Sequence, residues 1–139
     1  MSVSQKMKNE KIVEVVALAM QCTEDGSYML ARRGPRESGA GKWEFPGGKI
    51  EYGETQQKAL VREIKEELNF ALSSTDLEYL GQNLHSYPGR DILIFLWKIR
   101  VREKPRFSLV DHDQVEWYQP GELAEISLSP GDKPFISLL

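Results

Sequence analysis

Between Thr55 and Leu68 the chain takes on a helical period, while the segments on either side read as strands. Leu60, Ile64 and Leu68 recur every fourth residue with charges on the opposite side, the pattern of a helix laid by its apolar stripe on a core. Ahead of it, Ile12 to Cys22 (IVEVVALAMQC) is apolar and β-branched, long for a strand but suited to a mostly buried one. Thr23-Glu24-Asp25-Gly26-Ser27 supplies turn chemistry, and Tyr28 to Arg33 reads as the returning hairpin partner. Gly34 to Gly41 reads as an exposed loop, and Trp43-Glu44-Phe45 as a short extended piece stopped by Pro46-Gly47-Gly48. After Asn69, strands are expected at Leu77 to Ser86 and Asp91 to Val101, joined by a turn at Pro88-Gly89. The second of these, with Ile92 to Trp97 apolar on both faces, belongs in mid-sheet. A loop over Lys104 to Asp113, a short strand at Glu116 to Tyr118, a helical turn at Pro120 to Leu123 and a closing helix over Pro130 to Leu139 complete the reading. This alternation predicts an α/β layered domain with a mixed sheet.

At 139 residues the chain is expected to form one domain, residues 11–139, behind a loose polar tail, residues 1–10. A net charge of −3 speaks against a sequence-independent grip on a nucleic-acid backbone, so no nucleic-acid partner is expected. No apolar run approaches the ~20 residues that span a membrane. The single cysteine, Cys22, permits no internal disulfide and reads as a small core residue. A cytoplasmic protein, monomer or homodimer, is the expectation.

The chemistry concentrates in Gly48-Lys49-Ile50-Glu51-Tyr52-Gly53-Glu54 and Arg62-Glu63-Ile64-Lys65-Glu66-Glu67. At ~100° per residue, Glu63, Glu66 and Glu67 fall within roughly a 100° arc of the helix. They repel one another by a few tenths of a kcal/mol per i,i+4 pair. They also sit near the C-terminal end, where the macrodipole disfavours negative charge. Local stability would not choose this arrangement, whereas a hard divalent cation, which takes oxygen ligands, would. Three glutamates alone would read as a solvated face. Six positions (Gly48, Glu54, Arg62, Glu63, Glu66, Glu67) matching the spacing G-x5-E-x7-R-E-U-x-E-E, with U apolar, reverse that reading. At ordinary residue usage the chance of such a match is on the order of 10⁻⁸.

The segment resembles the Nudix box, whose full form ends E-E-x-G-U. Here that stretch is Glu66-Glu67-Leu68-Asn69-Phe70, with Asn69 in the glycine's place. The glycine closes the helix in a left-handed conformation, and Asn is the next residue to tolerate it. The run Trp43-Glu44-Phe45-Pro46-Gly47-Gly48-Lys49-Ile50-Glu51 is similar to the MutT branch, and the resemblance spans about Ile12 to Leu139. It implies a Nudix-type α/β/α sandwich with a mixed β-sheet and a loop–helix–loop catalytic motif. It also implies Mg²⁺-dependent hydrolysis of a nucleoside triphosphate, modified or not, to monophosphate and pyrophosphate, in nucleotide-pool house-cleaning, with Mn²⁺ as a possible substitute.

On that resemblance Glu63, Glu66 and Glu67 hold the metal, with the Gly47 carbonyl as a further ligand. The general base is Glu63 or Glu116; the latter, in the local match Val115-Glu116-Trp117, falls where MutT-like relatives carry a late metal-linked glutamate and so joins the implied metal ligands, although it reads equally as a surface strand glutamate. Glu54 and Arg62 would form an ion pair that orients the loop on the helix. Arg33 matches a phosphate-contacting arginine, whose fork suits a triphosphate tail, although a strand-end surface arginine would look the same. Glu44, Phe45, Pro46 and Gly47 would lie beside the substrate, with Tyr87 and Arg90 completing the pocket. His85 and His112 read as isolated.

Base choice turns on Pro130-Gly131-Asp132-Lys133-Pro134, because relatives selecting 8-oxoguanine carry Asn where this chain has Asp132. An ionised aspartate only accepts hydrogen bonds and suits an exocyclic amine such as cytosine N4; a protonated one still serves a guanine. Some relatives that act on CTP and modified deoxycytidine triphosphates have aspartate there. Two other readings remain open. One is another nucleoside diphosphate-X, such as ADP-ribose or a dinucleoside polyphosphate, to which Tyr87 and Pro88 lend weak support. The other is a non-catalytic Nudix-fold sensor, against which the clustered carboxylates argue.

Overall fold

The strand β1 (Ile12–Cys22) is the axis on which the other elements are arranged. Val16, Leu18 and Met20 are buried on one face and Ala17 and Ala19 on the other, which places this run in mid-sheet. The computed structural model describes residues 12–139, so the tail expected over residues 1–10 lies outside the described residues. Strands β2 (Tyr28–Arg33), β3 (Trp43–Glu44), β4 (Gly47–Lys49), β5 (Glu78–Tyr87), β6 (Arg90–Val101) and β7 (His112–Tyr118) complete one sheet. Its order is β3-β2-β1-β6-β5, with β4 also on β1 and β7 also on β2. β1 and β6 run parallel from Ile12↔Asp91 to Cys22↔Val101, and the other pairings are antiparallel, so the sheet is mixed as expected. The second edge of β1 is forked: Gln21 meets Tyr28 of β2, whereas Val15, Val16 and Ala17 meet Lys49, Gly48 and Gly47 of β4.

One face of the sheet is covered by α1 (Gln56–Leu68). The Thr55 hydroxyl caps it by accepting from the Lys58 N–H at 3.1 Å. Leu60, Ile64 and Leu68 are fully buried against Val16, Leu18, Met20 and Met29. Each such side chain contributes roughly 1.5–3 kcal/mol of apolar burial. Asn69 ends the helix in the left-handed region, at φ 53° and ψ 40°, and its N–H reaches the Lys65 carbonyl at 3.1 Å.

The other face packs Tyr28, Leu30, Phe45, Ile94 and Leu96 under Leu123, Leu128 and Phe135. Its cover corrects one expectation, because the closing helix over Pro130 to Leu139 is a 3₁₀ segment, Lys133–Leu138. Pro134 supplies no N–H and the segment is short, which suits tight i→i+3 bonding, with the Phe135 N–H on the Asp132 carbonyl at 3.0 Å. Pro120–Glu122 is likewise a 3₁₀ turn. The α/β/α arrangement is therefore completed on this side by tight turns. Two strands also differ from the sequence reading: β4 resumes after Pro46 where only a stop was expected, and β7 begins at His112, not Glu116. No helix among the described residues is long and apolar enough to cross a membrane.

Candidate active site

The loop between β4 and α1 is held by one arginine. Arg62 grips Glu54 through two parallel bonds, Nε to Oε2 at 2.8 Å and Nη2 to Oε1 at 2.9 Å, and reaches back to the Lys49 carbonyl at 3.0 Å. Glu54 Oε1 also accepts from the Glu51 N–H at 2.9 Å. The hydrogen bonds from Arg62, with that of Glu51, hold the Glu54 carboxyl down at about 2. Such two-point pairing fixes geometry as well as charge, and it is the loop–helix brace the sequence suggested.

Behind the brace, Glu63 and Glu67 are largely covered, with 13% and 20% of their side chains exposed, whereas Glu66 is open to solvent at 59%. Arg62 Nη1 lies 2.8 Å from Glu63 and 3.4 Å from Glu66. Burial pushes the Glu63 carboxyl up against the pull of Arg62. Burial lifts Glu67 to about 7; His112 opposes the rise, and Glu63, Glu44 and Asp111 add to it by repulsion. The Glu63 carboxylate rests on Gly48, where an added Cβ would come within 2.4 Å of it. Gly47 is equally constrained, since a Cβ there would lie 1.9 Å from the Val16 carbonyl oxygen.

A hard divalent cation fits this donor set. Glu63, Glu66 and Glu67 offer only oxygen, and a cation would relieve the repulsion that burdens Glu67. As the side chains stand, Arg62 balances the carboxylates, and among the described residues no group of three potential ligands is already gathered for a metal.

Beside Gly47 and Gly48 opens a cavity of about 640 Å³, lined among others by Arg33, Glu44, Phe45, Tyr87, Arg90 and Asp132. That is within the roughly 300–1,000 Å³ of small-molecule sites. Arg33 Nη1 donates to both oxygens of Glu44, at 3.0 and 3.2 Å, and its Nε donates to the Ser38 carbonyl. The fork thus sits inside the pocket wall and not free on the surface. Asp132 is 5% exposed and accepts from the Phe45 N–H at 3.1 Å. Burial, with repulsion from Glu44, raises its carboxyl to about 8. Burial therefore favours the neutral form of Asp132, the one of the two alternatives that can also donate.

The structure gathers Glu54, Arg62, Glu63 and Glu66 at the helix, and Arg33, Glu44, Phe45, Gly47, Tyr87, Arg90 and Asp132 around the cavity. It does not bring Glu116 to the carboxylates. Glu116 pairs in register with Leu30, whose side chain packs in the core opposite α1, so it faces away from that helix. Its carboxylate accepts from Gln114 at 2.7 Å. Pro46 is buried outside the cavity wall, and its carbonyl accepts from the Leu18 N–H at 2.8 Å.

The residue that the sequence reading passed over is His112. Its ring lies between Glu44, 2.8 Å from Nε2, and Glu67, 3.6 Å from Nδ1. Burial alone would lower its pKa, but the Glu44 hydrogen bond and the charges of Glu44 and Glu67 outweigh that and raise it. The neighbouring Asp111 is the late acidic residue whose charge Glu67 feels. The dipeptide Asp111-His112 at a loop-to-strand junction was the available signal, but it carries no spacing of its own.

The family model described as the NUDIX domain matches residues 13–139. Over 130 residues the chain is 35% identical to the CTP pyrophosphohydrolase of Escherichia coli (strain K12), covering 91% of this chain and 90% of that protein. It is 33% identical to an 8-oxo-dGTP diphosphatase of Proteus vulgaris, over 70% of this chain and 89% of that one. Among solved structures, the E. coli ORF135 protein superposes with a TM-score of 0.76 at 33% identity, covering 92% of this chain and 88% of its own. A MutT protein from Methanosarcina mazei Go1 shares the fold at a TM-score of 0.79 and 20% identity, over 91% of both chains.

Proposed function

Because this chain belongs to the Nudix family, as a MutT-like hydrolase, we propose that it cleaves the α–β phosphoanhydride of a nucleoside triphosphate, releasing monophosphate and pyrophosphate. One observation carries the reading: the nucleotide-sized cavity has Gly47 and Gly48 in its wall, and the Glu63 carboxylate rests on the backbone of Gly48. A base in the cavity therefore directs its phosphates at the acidic helix.

Glu63, Glu66, Glu67 and the Gly47 carbonyl are the residues that would hold Mg²⁺, or Mn²⁺ in its place. When bound, the cation polarises the phosphoryl oxygens and acidifies a water. Arg33 binds the triphosphate tail through its fork, kept in orientation by Glu44. Glu63, largely covered and resting on Gly48, takes the proton of the attacking water. The water oxygen bonds to one phosphorus of the α–β bridge as that phosphorus loses its bond to the bridging oxygen. That oxygen departs with the electron pair on the other fragment, so that monophosphate and pyrophosphate are released. Glu116, turned to the other face, takes no part.

The names of the relatives bracket the substrate between a cytidine and an oxidised guanine nucleotide. A neutral Asp132 is compatible with both. Its O–H can donate to cytosine N3 or to guanine O6, while its carbonyl oxygen accepts from cytosine N4–H or from N7–H of 8-oxoguanine. Tyr87 and Pro88 line the same cavity, which accounts for them without an ADP-ribose or dinucleoside subclass. Clearing unwanted nucleotides from the pool is the role this supports.

The test is to incubate the protein with Mg²⁺ and a panel of canonical, oxidised and methylated triphosphates plus ADP-ribose, and to assay the phosphate product. Pyrophosphate with a nucleoside monophosphate is expected. Orthophosphate instead of pyrophosphate would exclude the proposed bond, and turnover of ADP-ribose alone would exclude the triphosphate reading. Asn offers the same donor and acceptor as the neutral acid, so Asp132→Asn is expected to keep turnover of both classes. Asp132→Leu, which offers neither, is expected to lower kcat/KM for both; parental kcat/KM in Asp132→Leu would remove Asp132 from base reading.

A further inference from the structure

A single file of side chains joins the cavity to the catalytic helix. Arg33 is bonded to Glu44, Glu44 Oε2 is 2.8 Å from His112 Nε2, and His112 Nδ1 stands 3.6 Å from Glu67 Oε2. The last gap exceeds hydrogen-bonding range, so Nδ1 finds no hydrogen-bond partner among the described residues although only 3% of the side chain is exposed. Polar atoms buried this deeply are almost always satisfied, and an exception calls for a physical reason.

The backbone supplies a second, independent observation. Arg32 pairs with Gln114 and Arg33 with His112, so one extra residue, Asp113, bulges out of β7. In regular register Asp113 would stand opposite Arg33, on the face that meets α1, and would bring a further carboxylate toward Glu67. The bulge sends Asp113 outward to Arg32, at 2.7 Å, and turns the imidazole inward in its place. A ring that merely filled space would need neither the bulge nor two flanking carboxylates.

We propose that His112 is a positioning residue that ties Glu67 to the Arg33–Glu44 ion pair, setting the orientation in which that carboxylate receives the metal. The Nε2 edge anchors the ring on the pocket wall, and the Nδ1 edge steers Glu67. Cation binding at Glu67 is thereby braced from the pocket wall, whereas Arg33 keeps its own contacts to both oxygens of Glu44 without the ring. The inference rests on the reading of Glu67 as a metal ligand, and its test separates the two.

Mn²⁺ is the probe, its affinity for the full chain being measured alone by calorimetry and by its spin-resonance signal, with kcat and KM determined beside it. His112→Phe fills the ring's volume without nitrogens. It is expected to weaken Mn²⁺ binding by about 10–100-fold and to lower kcat to a similar degree, with KM for the nucleotide little changed. His112→Gln keeps a group near the Nε2 position and His112→Asn keeps one near Nδ1, so Asn is expected to recover more Mn²⁺ affinity than Gln. Packing alone would not produce that order. A folded His112→Phe with Mn²⁺ affinity within about twofold of the parent overturns the proposal; should that variant not fold, parental affinity in both Gln and Asn variants overturns it equally. Glu67→Gln is measured in parallel. If it leaves Mn²⁺ affinity unchanged, the ligand reading fails and takes this inference with it. If it weakens binding while the His112 variants do not, only the positioning role of His112 falls.

Discussion

Asp132 holds a carboxyl that burial and the nearby Glu44 lift from 3.8 to about 8. The unfolded chain releases this proton near its ordinary value, so between those two pH values the folded state binds more protons than the unfolded one. Stability contributed by this group is complete below 3.8 and declines as pH rises toward about 8. Asp132→Asn is expected to flatten that decline, which urea midpoints at pH 5, 6.5 and 8 would register; parallel slopes for the two proteins would place the carboxyl in water. At the helix, Glu63→Gln and Glu67→Gln are each expected to lower kcat by at least ~10² with the melting profile retained. A variant with near-parental kcat would not be part of the catalytic group.

At the scale of single elements, α1 and its loop are largely legible in the sequence. Leu60, Ile64 and Leu68 specify which side is buried, and Glu54 and Arg62 meet as their positions around the turn suggest. Asn69 takes the left-handed φ that the missing glycine implied. Asn69→Ala is expected to cost about 1–2 kcal/mol and Asn69→Gly to be neutral or stabilising, read from denaturant midpoints. Ile64→Ala, emptying a fully buried site, is expected to cost about 2–5 kcal/mol. Strand β7 was far less legible. Which way Glu116 and His112 point depends on register and on one bulged residue, and a one-residue slip exchanges the two faces. No local pattern announces such a bulge. The burial of Asp132 was hidden for a related reason, since it arises where a C-terminal turn crosses Phe45, far away in sequence.

For the whole molecule, cavity and helix are expected to behave as one binding unit. A non-hydrolysable triphosphate should raise the melting temperature more with Mg²⁺ than without it, and chelation should abolish turnover while the fold persists. At a ligand concentration of 100 Kd the added stability is about 2.7 kcal/mol. Equal thermal shifts with and without the metal would mean that the two halves bind independently.

The fork in β1 has a consequence for how such a molecule can diversify. Its far end leads through β2 to Arg33, its near end carries β4 and the glycines beneath Glu63, and the turn holding Asp132 arrives from elsewhere in the chain. The side chain proposed to read the base therefore sits on a different segment from the carboxylates of α1. A lineage can exchange residues in the C-terminal turn, and so acquire a new diet of nucleotides, while the machinery that breaks the anhydride is inherited untouched.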